Sequence, residues 1–363
     1  SGAVRFKAIL RVWKGVFTMS IDALQAKIRK LKNPSMIGLD PTVELLPPHL
    51  LEEAYRTHGQ SLEALAAAYE IFCGEILQAL QGLVPAVKVQ SYCFDALGSC
   101  GIAAMQRLLR LAQHLGFYVM MDANYSSVGH ISQLYAAAVF GGLRTPDGAC
   151  LQPYACDGLS INPYLGSDSV KAFLPYCKQQ GKNLFLCVKT SNKSSREVQD
   201  LISGSRMVYS AVADLAMRWS IDLFGKNGYS ELIAVVGAPY PQVLRALRQQ
   251  YDRLFFLVPG YGAQGGTAKH VSEAFTAAGR GALDGGSGAA GSAISPHPYS
   301  FSVLASSRKW SLASRSTGRW PARASVCKSS STALRFWISS RSSDMLCSLM
   351  KVSRYVKLFP YGL

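Results

Sequence analysis

Residues 61–90 read SLEALAAAYEIFCGEILQALQGLVPAVKVQ, a helical pattern followed at once by a strand-like one. Leu62, Leu65, Tyr69, Phe72, Ile76 and Leu80 recur at steps of three and four, so they form one apolar stripe and predict an amphipathic helix. Ser61 is placed to cap its first turn, Glu63 lies where the helix dipole favours an acid, and Gly82 can end it. Ala86 to Gln90 is then a short apolar run interrupted by one lysine, which fits a buried strand. From Met19 onward the same alternation continues. Further strands are predicted at Met36 to Leu39, Tyr118 to Met121, Leu159 to Asn162, Leu184 to Lys189, Leu232 to Gly237 and Leu254 to Val258. Helical segments lie between them, including Ala103 to Leu115, stopped by Gly116, and one opened by Ser194 with Glu197 at capping-box spacing.

Repeated strand–helix units build a parallel sheet, and seven of them ask for an eighth, because an unpaired end strand exposes a row of backbone donors and acceptors. The predicted class is therefore α/β, a (β/α)8 TIM barrel. The eighth strand is expected to be poorly formed or missing: Gly281 to Gly291 is too rich in glycine and too poor in β-branched residues for a good core strand. From about Ser292 the chain is rich in serine and arginine, with no sustained period of 2 or 3.6. The chain thus divides into a basic N-terminal extension (1–18), a barrel (19–284) and a basic Ser/Arg-rich C-terminal extension (285–363), disordered or out of frame. A reading frame shifted near Leu283 would explain the last segment; a genuine basic extension is the rival explanation. Met19 is a candidate natural start.

Composition narrows the function classes. With 49% hydrophobic and 17% charged residues the chain can bury a large core. No apolar run is long enough to span a bilayer, and residues 1–18 mix basic with apolar residues rather than separating them as a signal peptide does, so a cytoplasmic protein is expected. Nine scattered cysteines without a CxxC pair argue against a disulfide framework or a zinc site. The net charge of +16 is concentrated at the ends, +4 in residues 1–18 and +10 in residues 285–363, leaving +2 for the middle. A nearly neutral central domain does not read as a nucleic-acid binder; no membrane partner is expected either.

The predicted strand ends carry the informative motifs, and this fold puts active sites at the C-terminal ends of its strands. They are Gly38-Leu39-Asp40-Pro41, Val87-Lys88-Val89-Gln90, Asp122-Ala123-Asn124, Asn162-Pro163-Tyr164-Leu165-Gly166, Val188-Lys189-Thr190-Ser191-Asn192 and Pro259-Gly260-Tyr261-Gly262-Ala263-Gln264-Gly265-Gly266. In this order and spacing they resemble the orotidine 5'-phosphate decarboxylase family, in particular its longer bacterial branch, over about Met19 to Ala282.

That resemblance implies a carboxy-lyase of pyrimidine (UMP) biosynthesis that turns orotidine 5'-phosphate into uridine 5'-phosphate without metal or organic cofactor, at a site shared by a homodimer or higher homo-oligomer. It implies that Asp40 binds the ribose and that Lys88 and Asp122 belong to a charged Lys/Asp tetrad. The family's third strand ends in D-x-K-x-x-D; its lysine falls at Asn124 and its last aspartate at Ser127, so two tetrad positions are substituted. Ser191 resembles the position that hydrogen-bonds the pyrimidine, and Gln264, Gly265 and Gly266 fall in a glycine-rich loop whose backbone amides can cradle a phosphate. The family's phosphate-gripping arginine follows the eighth strand, where this chain has only glycine, serine and alanine.

The chemistry explains why the substitutions matter. Loss of carbon dioxide leaves an electron pair in a ring orbital with no carbonyl to receive it, so the site must hold a preorganised cation and a proton donor at that carbon. Asparagine supplies a dipole and no acidic proton. Impaired activity is therefore expected. The alternative is a non-catalytic barrel that binds a pyrimidine nucleotide through Asp40, Ser191 and Gln264; a third reading gives nucleic-acid binding to the basic extension and its tryptophans Trp310, Trp320 and Trp337. Lys88 inside an apolar strand needs a partner, and Asp122 is the expected one. His114, His130 and Asp168 read as surface or helix residues.

Overall fold

A computed structural model of the chain describes residues 21–262 and 264–286. Eight parallel strands form a closed ring: β1 (Ser35–Leu39), β2 (Ala86–Gln90), β3 (Tyr118–Tyr125), β4 (Gly158–Ile161), β5 (Asn183–Lys189), β6 (Leu232–Val236), β7 (Phe255–Pro259) and β8 (Ala282–Gly286). Each strand pairs with the next in sequence, and β8 pairs with β1. Seven strands fall where the apolar runs predict them. The helix over Leu62–Leu80 is capped by Ser61, whose Oγ accepts from the Ala64 amide at 3.2 Å. The helix Gly98–His114 is followed by Gly116 at φ +86°, a conformation that suits glycine.

Two expectations need correction. The segment from Ser194 is a 3-10 turn (Lys193–Ser195) running into a single helical turn (Arg196–Gln199), without a side-chain cap. A tertiary contact takes precedence there: Ser195 Oγ lies 3.2 Å from the Tyr240 hydroxyl. The eighth strand, expected to be poorly formed or missing, is present and closes the ring. Asp284 to Gly286 pair with Ser35 to Ile37, and Ala282 to Gly285 pair with Phe256 to Pro259. Ladder hydrogen bonds use backbone groups that glycine also has, so non-local pairing overrides poor strand propensity. Crowding favours glycine here as well: a Cβ on Gly285 would lie 3.2 Å from Leu257 Cδ1, and one on Gly38 would lie 3.2 Å from the Gly286 carbonyl oxygen. Residues 1–20 and 287–363, with the basic N-terminal extension, Met19 and the C-terminal extension from 287 onward, lie outside the described residues, as does Ala263; Gly285 and Gly286, which the sequence assigns to the extension, belong to β8.

The strands sort their side chains in steps of two. Met36, Ala86, Tyr118, Met120, Phe185, Ile233, Val235, Phe255, Leu257 and Leu283 form an inner cluster, joined by Ile21 and Leu24 of the helix Ile21–Leu31. The intervening residues, such as Leu39, Val87, Val119, Leu184, Val236 and Val258, join the larger cluster beneath the helices. Gly158 makes room for the inner aromatics: a Cβ there would lie 2.4 Å from the Phe185 ring.

Two buried polar residues tie this frame together. Arg248 donates to the carbonyls of Ala274 (2.7 Å), Leu254 (2.9 Å) and Gly281 (2.7 Å) and lies 4.0 Å from the Phe256 ring centroid. It thereby joins the helix Pro241–Gln250 to the approaches of β7 and β8. Arg248→Met keeps bulk but strands those carbonyls, and should cost about 3 kcal/mol, read as a lower urea midpoint at unchanged slope. A loss below about 1 kcal/mol would mean that the staple contributes little.

Glu231 accepts from the Ile21 amide at 2.9 Å and from the Asn183 side chain, fixing the first helix against the barrel. Burial pushes its carboxyl up from 4.5 to about 7. The folded chain therefore holds a proton there that the unfolded chain releases, so stability should fall as pH rises from 4.5 to about 7 and change no further above that through this group. The Glu231 share of that fall is about 3 kcal/mol. Asp284, pushed up to about 7 by burial, contributes in the same direction. Glu231→Gln should flatten the stability–pH curve in that window, and an unchanged curve in chemical denaturation would refute the assignment.

Candidate active site

Toward the C-terminal ends of the strands the inner row turns polar. On β2 the step from Ala86 reaches Lys88, on β3 the step from Met120 reaches Asp122, and on β4 the step from Gly158 reaches Ser160. Lys88 Nζ donates to Asp122 Oδ2 at 2.9 Å and to Asp40 Oδ1 at 3.1 Å, with 10% of the lysine side chain exposed. Burial alone would lower the ammonium pKa; Asp122 and Asp40 outweigh it, so Lys88 is held above its ordinary value and stays charged. Burial also raises Asp40, with Lys88 pulling the other way.

Asp122 is held from two further directions. Ser160 Oγ donates to its Oδ1 at 2.7 Å, and Gln90 Nε2 donates to its Oδ2 at 3.2 Å. The same Ser160 oxygen accepts the amides of Ala123 and Asn124, each at 2.8 Å, and so shapes the end of β3. Asn124 has φ +50°, a left-handed conformation that asparagine adopts more readily than most residues. Its Oδ1 accepts from Cys187 Sγ at 3.0 Å. Burial pushes the Cys187 thiol up to about 12, so it acts as a neutral donor. Ser127 is half-buried, and its carbonyl accepts from Ser132 Oγ at 2.8 Å, at the approach to the helix Gly129–Ala136.

Across the ring, the ends of β5, β6 and β7 enclose a pocket of about 380 Å³ lined by Ser191, Lys193, Arg196, Pro239, Tyr240 and Gln264. Close backbone approach shapes its wall. A Cβ on Gly237 would lie 2.7 Å from Ser191 Cα, and one on Gly260, at φ +98°, would lie 2.9 Å from Gln264 Oε1. The Tyr240 hydroxyl donates to the Asn192 carbonyl at 2.9 Å. Lys189, fully buried, pairs with Asp200 at 2.5 Å and lies 4.6 Å from the Tyr240 ring centroid.

The structure therefore brings Asp40, Lys88, Asp122 and Asn124 to one side of the mouth, and Ser191 and Gln264 to the other. Gly265 and Gly266 lie in the loop that follows β7. The amides of Gly262, Gly265 and Gly266 donate to the carbonyls of Gly266, Gly262 and Gly260 at 2.9, 2.8 and 2.9 Å, so these three are engaged within the loop. His114, His130 and Asp168 are exposed helical residues. Among the described residues no group of three or more His, Cys, Asp or Glu side chains could hold a metal ion, and no helix is long and apolar enough to cross a membrane. Sequence reading missed Ser160, Gln90, Tyr240 and Asp200. Ser160 left one usable signal, a polar residue on the inner row of an otherwise apolar strand.

Comparison with known proteins agrees with this geometry. The profile of the orotidine 5'-phosphate decarboxylase / HUMPS family matches residues 63–282. An orotidine 5'-phosphate decarboxylase from Rhodopirellula baltica is 36% identical over 260 residues, covering 72% of this chain and 84% of the relative. One from Caldicellulosiruptor bescii is 30% identical over 246 residues, covering 68% and 80%. Among solved structures, Leishmania donovani OMP decarboxylase superposes with a TM-score of 0.61 at 25% identity, covering 80% of this chain and 97% of that one. Leishmania donovani UMP synthase gives 0.62 at 26% identity, covering 79% of this chain and 55% of that longer one.

The ion triad makes its own prediction. Lys88→Met leaves two carboxylates facing each other in a largely buried site and should cost about 3 kcal/mol or more at pH 7. The loss should shrink at acid pH, where the carboxylates take up protons. Thermal melts at both pH values test this, and an equal loss at both would contradict a charge-based role.

Proposed function

The chain belongs to the orotidine 5'-phosphate decarboxylase / HUMPS family, and from that premise we propose that the barrel mouth binds orotidine 5'-phosphate and releases its carboxylate as carbon dioxide, giving uridine 5'-phosphate. The observation that carries this reading is the Asp40–Lys88–Asp122 triad, an ammonium held between two carboxylates at the ends of β1, β2 and β3. In this reading Asp40 receives the ribose hydroxyls, Ser191 meets the pyrimidine edge, Gln264 lies near the ligand on the β7 loop, and Lys88 is the cation nearest the developing charge, kept in position by Asp122.

The carbon–carboxylate bond breaks, its electron pair stays on the ring carbon, and a proton must arrive there. Asn124 stands where the family has its proton-donating lysine and offers only an amide dipole. Ser127 stands where the family has an aspartate and carries no charge. We therefore assign this chain a decarboxylase site of reduced power. Its proposed setting is the cytoplasm, consistent with the unpaired state of all seven described cysteines. Its proposed assembly is a homodimer. Val128, Ile131 and Leu134, 49%, 47% and 57% exposed beside Ser127, offer an apolar face for a second copy.

A second reading, a barrel that binds the nucleotide without turning it over, is favoured by the Asn124 carboxamide, which is already engaged by Cys187. One assay separates the two. Purified full chain is tested for carbon dioxide release from orotidine 5'-phosphate, beside the Asn124→Lys, Ser127→Asp double variant. The decarboxylase reading expects slow turnover by the unmodified chain and a gain of about a hundredfold or more in the variant, somewhat offset by the strain of lysine at a left-handed position. Binding of uridine 5'-phosphate with no release from either protein would establish the second reading, and robust turnover by the unmodified chain would refute impairment.

A further inference from the structure

The pocket between the ends of β5, β6 and β7 has a charge pattern that the assigned roles of Ser191 and Gln264 do not explain. Lys193 and Arg196 both line it, both are exposed, and neither is paired with a carboxylate among the described residues. The nearest cation along the chain behaves differently: Lys189 is buried and neutralised by Asp200. Arg196 instead lies 5.8 Å from the ring centroid of Tyr240, and that ring is fixed by the tyrosine hydroxyl on the Asn192 carbonyl and Ser195 Oγ. A guanidinium against an aromatic face keeps its donors available for a ligand. The backbone around it is ordered by Thr190, whose amide donates to Gln199 Oε1 at 2.9 Å and whose hydroxyl accepts from Gln199 Nε2 at 2.8 Å.

We propose that Lys193 and Arg196, with Gln264 across the pocket, form an anion subsite that takes a phosphate monoester dianion, the phosphate of the bound nucleotide. Two cations without an acid in one pocket match the charge of that group. Arg196 can meet two of its oxygens in the planar, two-pronged way that suits phosphate, and Lys193 adds a mobile point charge. The amides of Gly262, Gly265 and Gly266 are bonded within their own loop, so the two side-chain cations carry the charge complementarity. The turn Lys193–Ser195 and the short helix Arg196–Gln199 thus supply a charged grip on the β5 side of the mouth.

This inference rests on the nucleotide-binding reading only for the identity of the phosphate's owner, so its test begins with inorganic phosphate. The full chain is titrated with inorganic phosphate by calorimetry at low ionic strength, beside the Lys193→Gln, Arg196→Gln variant and the charge-keeping Lys193→Arg, Arg196→Lys variant, each checked for an unchanged thermal melt. The expected result is saturable binding that weakens as salt rises, falls roughly tenfold for each cation removed, and survives within a few-fold in the charge-keeping variant. Failure of phosphate to bind, or equal binding by the neutral variant, would overturn the subsite. Uridine 5'-phosphate and uridine are then compared: the subsite predicts that the neutral variant loses the nucleotide's advantage over the nucleoside. A nucleotide advantage untouched by the two substitutions would also overturn it. Absence of binding by both uridine compounds, with phosphate still bound by the unmodified chain alone, would support the subsite while refuting the pyrimidine reading.

Discussion

A parallel strand leaves hydrogen-bonding groups on both edges, and a ring of such strands has no free edge only if the last one finds the first. That closure is the constraint on which everything else in this barrel depends. β8 supplies it with a five-residue strand, Ala282–Gly286, containing two glycines and one acid. Its side chains contribute little beyond Leu283 in the inner cluster, so the strand is defined by its two neighbours more than by itself. With β8 in place, β1 is held between β8 and β2, and Asp40, immediately after β1, can reach Lys88. Without it, the carboxylate that balances one side of the ammonium would stand on an unpaired edge.

The closed ring also sets where charge can be tolerated. At the N-terminal end, the inner cluster is apolar and is plugged by Ile21 and Leu24, whose helix is fixed by Glu231 on the Ile21 amide. One layer further along the strands, Lys88, Asp122 and Ser160 replace the apolar residues. An ammonium on the inner face would be expensive there if it were alone. The two carboxylates and the Ser160 hydroxyl give nearly every polar atom around it a partner; Gln90 Oε1, buried without one, is an exception. The apolar floor and the charged rim are therefore two parts of one arrangement: the first excludes water from below, and the second keeps the remaining polarity ordered where a ligand can enter.

How much of this could be read from the sequence depended on whether the cause was local. The helix Leu62–Leu80 and its Ser61 cap follow from periodicity and a capping rule acting within a few residues, and they appear as predicted. Lys88 announced itself because a charge in a short apolar run demands a partner, and Asp122 was the available one. β8 was misjudged because its composition is a local argument and ring closure is not. The Ser194 capping box lost for the same reason, with Ser195 drawn to Tyr240, a residue 45 positions away. Ser160 carried no recognisable motif, since its importance comes from the strand beside it, where it orders Asp122 and the Ala123 and Asn124 amides at once.

The two sides of the mouth end with opposite electrostatic character. Around β1 to β3, two aspartates and one lysine leave one formal negative charge, tightly hydrogen-bonded and mostly buried. Around β5 to β7, the Lys189–Asp200 pair is neutral, and Lys193 and Arg196 add two positive charges on the exposed rim. A ligand with a polar uncharged ring and an anionic group would be oriented by that difference before any short-range contact forms, because exposed rim charges act over a screening length of roughly 8–10 Å at physiological salt. The substitution at Asn124 fits the same picture. It removes a cation from the β3 side of the mouth, so the remaining positive charge free to attract an anion lies on the β5 side, and the orientation of the ligand rests more heavily on Lys193 and Arg196 than it would with a lysine at position 124.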